Sequence, residues 1–184
     1  MAAVEAGAPL VQLRDKLLPD RDFYQVALAI RDITRRAGAL LIVNDRVDIG
    51  VAADADGVHV GQTDMPASAV RRLIGPDLIL GVSAGSLDEA LRAEADGADY
   101  IGFSPVFSTA TKEDAGKPTG LELLEEVSSA VHVPIVAIGG INEDNIRAVV
   151  EAGAYGAAVV SAIVCAQDMR AAVRRLMSLM DSAT

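Results

Sequence analysis

Short apolar runs alternate along this chain with longer stretches in which apolar residues return every three or four positions. Seven runs read as strands: Pro9 to Leu13, Ala39 to Val43, Gly57 to Val60, Leu78 to Val82, Asp99 to Phe103, Pro134 to Ile138 and Ala157 to Ser161. Several are apolar on consecutive residues, as parallel strands buried on both faces require. The stretches between them read as amphipathic helices. Phe23, Val26, Ala27, Ile30 and Ile33 fall on one stripe, with Asp20 as its cap and Gly38 as its end. Pro66 opens a second helix that runs to Gly75. Ser86 with Glu89, and Thr119 with Glu122, have capping-box spacing, and Asn142 and Asp168 suit the caps of the last two helices.

A recurring punctuation supports the alternation. A helix tail is followed by Ala-Gly or Asp-Gly and then an apolar run, at Gly7, Gly57, Gly97 and Gly153. Each glycine suits the left-handed residue that ends a helix. The unit is a βα repeat, and two architectures build on it: an open doubly wound sheet or a (β/α)8 TIM barrel. Polar residues decide for the barrel, because they follow nearly every strand: Gln12, Arg14 and Lys16; Asn44 and Asp45; Gln62 and Asp64; Ser83; Thr109 to Lys112; Gly139 and Gly140; Ser161. An open sheet gathers such groups at one switch point, whereas a barrel converges them from its whole C-terminal rim. The expectation is one α/β domain over residues 1–184, lacking the first strand and part of the first helix of a (β/α)8 barrel.

Composition narrows the partners. The formal net charge of −10 argues against nucleic acid and anionic membrane, both of which need a basic footprint. A small anionic ligand stays open, since a few local cations or a metal can invert the field in one cleft. The single cysteine, Cys165, excludes an internal disulfide and suits a reducing, cytoplasmic compartment. No apolar run approaches the roughly 20 residues that span a bilayer, and Met1 to Ala8 lacks the cationic region of a signal peptide.

The candidate chemistry centres on Gly102 to Gly116, a connection too long for an ordinary βα turn and rich in hydroxyls. Thr109 and Thr111 offer hydroxyl donors and Lys112 a point charge, a set suited to phosphate oxygens; a polar surface loop would hold the same residue types. Arg14 and Lys16 emerge at the first strand end, where they could hold an anion or decorate a solvated turn. Asn44, Asp45 and Asp64 could bind a hard cation such as Mg²⁺, which favours one or two carboxylates plus substrate phosphate oxygens, or the acids could be helix caps. Gly139-Gly140 and Val160-Ser161 occupy the places where this fold usually holds phosphate, and a short helix beginning near Ser161 would present its positive end there. His59 and His132 read as structural, and Cys165 as a small core residue.

The strand ends together resemble the thiamine-phosphate synthase family, also called thiamine-phosphate pyrophosphorylase. The matching pieces are QLRDK from Gln12, NDRVDI from Asn44, DGVHVGQTD from Asp56, GVS from Gly81, GFSPVFSTATK from Gly102, AIGGI from Ala137 and VVSAI from Val159. The resemblance implies a transferase that joins hydroxymethylpyrimidine diphosphate to a thiazole phosphate, giving thiamine phosphate and diphosphate with Mg²⁺ as cofactor. It implies that Gln12, Leu13, Arg14, Asp15, Lys16, Asn44, Ser83 and Lys112 hold the pyrimidine diphosphate. Thr109, Ala110, Thr111, Gly140, Val160 and Ser161 would hold the thiazole phosphate, and Asp45 and Asp64 the metal. Lys112, Arg14 and Ser83 would be the catalytic groups. A related thiazole tautomerase and an inactive ligand-binding barrel are the competing readings.

Overall fold

The computed structural model of the chain describes residues 1–109 and 117–183. In chain order its elements are α1 (Ala2–Glu5), β1 (Leu10–Leu13), α2 (Asp20–Ala37), β2 (Leu40–Asn44), α3 (Val47–Ala52), β3 (Gly57–Val60), α4 (Ala67–Ile74), β4 (Ile79–Ala84), α5 (Leu87–Ala95), β5 (Tyr100–Phe103), α6 (Gly120–Ala130), β6 (Ile135–Ile138), α7 (Ile146–Glu151), β7 (Gly156–Ala158), α8 (Ser161–Val164) and α9 (Met169–Asp181). The strands form one parallel sheet in the order β1 to β7. This is the curled α/β sheet that the alternation predicts, with seven strands. Among the described residues no ladder joins β7 to β1, and the eighth strand of a full (β/α)8 barrel is not present.

Strand side chains alternate between two environments. One parity faces the helices: Leu13, Leu41 and Val43 pack with Phe23 and Ala27 of α2 and Ile49 of α3. Val58, Val60, Leu80, Val82, Ile101, Phe103, Ile135 and Ala137 continue that layer under α4 to α7. The other parity lines the concave inner wall and carries Gln12, Ile42, Asn44, His59, Gly81, Ser83, Tyr100 and Gly102. The register sets their neighbours: Asn44 lies beside His59, His59 beside Gly81, Gly81 beside Tyr100 and Ser83 beside Gly102. Bulky and glycine positions therefore alternate across β3, β4 and β5. A Cβ on Gly81 would drive into the Tyr100 ring and the His59 imidazole, and one on Gly102 would come within 2.8 Å of His59 Cε1.

Several local expectations change where tertiary contacts compete. Asp20 is the first residue of α2, not its cap, which is Pro19. Thr34 joins the buried face of that helix, its hydroxyl satisfied by donation to the Arg31 carbonyl. Ser86 caps α5 by accepting from the Glu89 N–H, but Glu89 reaches back to the Gly85 N–H, one residue beyond the reciprocal partner of a capping box. Thr119 makes no cap bond to α6; its hydroxyl donates instead to the Pro105 carbonyl at 3.0 Å. Asn142 does not cap α7, which starts later, after Asn145. Asp168 does cap α9, accepting from the Ala171 N–H. Of the helix-ending glycines, Gly7, Gly97 and Gly153 have positive φ, whereas Gly57 lies inside β3 and Asp54 takes the left-handed turn before it.

The last strand also ends earlier than Ser161. β7 closes at Ala158, Val160 turns away with more than half its surface exposed, and Ser161 opens α8. That shift moves Val160 and Ser161 out of the sheet and onto the rim.

Candidate active site

Two hollows open at the C-terminal ends of the strands and share a wall made by Ser104 and Pro105. The larger, about 540 Å³, is lined by Arg14, Lys16, Asn44, Asp45, Gln62, Asp64, Ser83, Glu89, Lys117 and Thr119, among others. That volume lies within the roughly 300–1,000 Å³ of sites that enclose a small organic ligand. The smaller, about 50 Å³, is lined by Thr109, Gly139, Gly140, Val159, Val160 and Ser161 together with Ile138, Ile141 and Ala158.

The floor of the large cleft is acidic and its edge cationic. Asp45 sits just past β2 in a left-handed conformation, φ 61°, with its N–H on the His59 carbonyl at 2.8 Å. Asp is one of the few residues besides glycine that tolerate this region, and residues held there often serve a site. The Asp45 carboxyl is hydrogen-bonded to that of Asp64, whose Oδ2 also accepts from the Gly61 N–H at 2.7 Å. Burial, then the hydrogen bond and repulsion from Asp64, push the Asp45 carboxyl up to about 6, against the pull of Lys16 and Arg14. Two carboxyl groups this close repel each other once both are ionised, a repulsion that a cation could relieve. Among the described residues no third acid, His or Cys joins them into a group of three metal ligands.

The remaining predicted residues separate by role. Asn44 is buried at the end of β2 and lines the cleft. Leu13 points its side chain into the core beneath α2 and α3, so only its backbone remains at the rim. Asp15 folds its own loop, accepting from the N–H groups of Leu17 and Leu18 at 2.8 Å each, which holds its carboxyl below the usual range. Ala110, Thr111 and Lys112 lie outside the described residues.

The small hollow is built by close backbone approach. Gly139 and Gly140 have φ of 101° and 66°, and a Cβ on Gly140 would meet the Ser108 carbonyl oxygen at 2.6 Å and Phe107 Cβ at 2.7 Å. The long connection after β5 is tied down here, because the N–H groups of Val106 and Phe107 donate to the carbonyls of Ile138 and Gly139. This anchoring brings Thr109 beside the two glycines. Asn145, which the sequence reading passed over, donates to the Gly140 carbonyl and accepts from the Asn142 N–H, bracing the turn from behind. Its signal would have been an Asn five residues beyond a Gly-Gly pair.

His59 is structural, as the sequence reading has it, but its bonds were not foreseen. It is buried, and Nε2 lies 2.8 Å from Ser83 Oγ and Nδ1 2.8 Å from the Tyr100 hydroxyl. The Tyr100 hydroxyl is hydrogen-bonded to Gln12 as well, and the Gln62 amide donates to the Ser83 carbonyl at 2.6 Å. Thus Gln12 and Ser83, both singled out for the same substrate, are joined through the inner wall. Cys165 is exposed, not part of the core.

Comparison with known proteins gives this geometry a family. A curated thiamine-phosphate synthase from Moorella thermoacetica is 55% identical over 174 residues, covering 95% of this chain and 83% of the relative. One from Chloroflexus aurantiacus is 57% identical over 178 residues, covering 97% and 82%. The solved thiamine phosphate pyrophosphorylase of Pyrococcus furiosus superimposes with a TM-score of 0.92 at 44% identity, covering 99% of this chain and 87% of that one. With the family described as thiamine monophosphate synthase matching residues 1–163, the chain belongs to that family.

Proposed function

We propose that the two joined hollows form one active site, in which a hydroxymethylpyrimidine diphosphate and a thiazole phosphate condense to thiamine phosphate and diphosphate. The observation that carries this reading is the shared Ser104-Pro105 wall: a cleft with cations and paired carboxylates directly adjoins a glycine-lined pocket. Such an arrangement suits two anionic substrates that must meet. The small hollow would take the thiazole phosphate, with Thr109, Thr111 and Ser161 as hydroxyl donors and the backbone of Gly140 and Val160 along its wall. The large cleft would take the pyrimidine diphosphate between Arg14, Lys16, Asn44 and Ser83.

The chemistry then needs no protein nucleophile. The bond from the pyrimidine methylene to the diphosphate oxygen breaks with its electron pair on the diphosphate, and the thiazole nitrogen donates its lone pair to the methylene. The chain's residues hold the two partners in line and stabilise the charge that gathers on the departing oxygens. Arg14, Lys16 and Lys112 are the cations for that task, and Ser83 a neutral donor. Asp45 and Asp64 fit Mg²⁺, since two adjacent carboxyl groups that repel each other when ionised offer hard oxygen ligands and leave positions for water and substrate. A bound Mg²⁺ would offset charge on the diphosphate leaving group. Described residues include no helix long and apolar enough to cross a membrane, in keeping with small-molecule substrates from solution.

The experiment is turnover of site variants. Lys112→Ala should lower thiamine phosphate formation by about a hundredfold or more, since one electrostatic donor commonly supplies about 3–4 kcal/mol. Asp45→Asn and Asp64→Asn should each lower it by about tenfold or more by weakening the metal site, metal-site changes commonly costing about 10–100-fold. Near wild-type rates in any of them would remove that residue from the site.

A further inference from the structure

We infer that Tyr100 holds His59 as its Nε2–H tautomer, so that His59 fixes the Ser83 hydroxyl as a donor aimed into the cleft. His59 and Tyr100 are positioning residues in this relay, acting on substrate only through Ser83. The inference rests on the proposed diphosphate site and extends it into the wall behind.

The contacts set the problem. His59 is 3% exposed, and its two ring nitrogens face two hydroxyls, each of which can donate or accept. Two polarities satisfy the chain of bonds. In one, Ser83 donates inward to Nε2, Nδ1–H donates to Tyr100, and the Tyr100 hydroxyl passes its proton on to the Gln12 carbonyl. In the other, the Gln12 amide donates to Tyr100, Tyr100 donates to Nδ1, and Nε2–H donates to Ser83.

The cleft end decides between them. A diphosphate has only acceptor oxygens, so Ser83 assists it only if the single hydroxyl proton points outward. Ser83 must then accept from within, which requires Nε2–H, and a neutral imidazole protonated at Nε2 accepts at Nδ1. Tyr100 is suited to supply that bond. Burial pushes its phenol up, so the hydroxyl keeps the proton that this bond needs. The packing is dedicated to this contact. His59 on β3 and Tyr100 on β5 meet across Gly81 of the intervening strand, where any side chain would separate them. The Gln62 amide on the Ser83 carbonyl fixes the backbone from which the hydroxyl extends.

Two measurements on the full chain test the relay. The chain has two histidines, and His132 is exposed, so nitrogen NMR of uniformly labelled protein can separate them. The His59 signals should show a protonated Nε2 and an unprotonated Nδ1; a protonated Nδ1 overturns the inference without depending on turnover. The second is a kinetic cycle of Tyr100→Phe, Ser83→Ala and the double variant. Tyr100→Phe should lower kcat about tenfold, the loss expected from one misdirected hydrogen bond, and leave KM for the thiazole substrate unchanged. In the Ser83→Ala background it should cost nothing further. Equal losses in both backgrounds would make Tyr100 merely structural. His59→Gln, which keeps an N–H donor, should retain more kcat than His59→Leu. Equal kcat in the two folded variants would contradict the relay as well. Should the wild-type chain form no thiamine phosphate, the functional reading fails by itself, while the NMR result still decides the tautomer.

Discussion

Asp45 is where backbone, charge and chemistry meet in one residue. Its left-handed φ swings the carboxyl off the end of β2 toward Asp64, and burial with that neighbour raises its affinity for a proton. The sign of the stability effect follows from linkage. The folded chain holds the Asp45 proton up to about pH 6, while an unfolded aspartate releases it near pH 3.9. Between these values the folded state binds more protons, so stability falls as pH rises. In chelator, the contribution of Asp45 should therefore decline from pH 4 to pH 6, by about 1 kcal/mol after discounting for partial solvent access. Urea unfolding of wild type and Asp45→Asn across this range should show the slope in wild type and its loss in the variant. Parallel curves would mean that the two acids do not compete for a proton.

At the scale of elements, strands and helix periodicity were legible because burial on both faces leaves a dense local trace. Six of the seven predicted strands agree with β1 to β6 to within two residues at either end, and the seventh stops three residues short. Caps were less legible: Thr119 turns to the Pro105 carbonyl, which only the folded chain brings near, and Asn142 accepts from the Asp144 N–H in a local turn ahead of α7. The rim residues Asn44, Asp45, Asp64, Ser83, Gly140 and Ser161 were legible because they follow buried strands. The bonding of His59 was not, for a physical reason: Ser83 and Tyr100 sit on β4 and β5, and nothing local to residue 59 indicates that Gly81 leaves a gap for them. That gap yields a prediction about the sheet. Gly81→Ala should destabilise the chain by about 1–3 kcal/mol or more, as overpacking between two fixed, hydrogen-bonded rings does. Urea unfolding would read the loss, and a wild-type midpoint would show that the inner wall has slack.

For the whole molecule, net acidity is compatible with the proposed anion site because charge is arranged locally. Arg14, Lys16 and Lys117 gather around one cleft in a chain of net charge −10, beside the acids Asp45, Asp64 and Glu89, so the local arrangement of charge matters there and not the surface at large. The curl of the parallel sheet brings strand ends that are far apart in sequence to that rim, and the anchored connection after β5 links the two hollows. Lys112, within that connection, was assigned from the residue types of the loop and from the family resemblance, and lies outside the described residues. The central claim is that these hollows are the two halves of one condensing site. Its most direct measurement is the time course of thiamine phosphate and diphosphate when the purified chain is given hydroxymethylpyrimidine diphosphate, thiazole phosphate and Mg²⁺. The account predicts equimolar appearance of both products, abolished by omitting either substrate or by chelating the metal. Release of diphosphate without thiamine phosphate, or binding of both substrates with neither product, would contradict it.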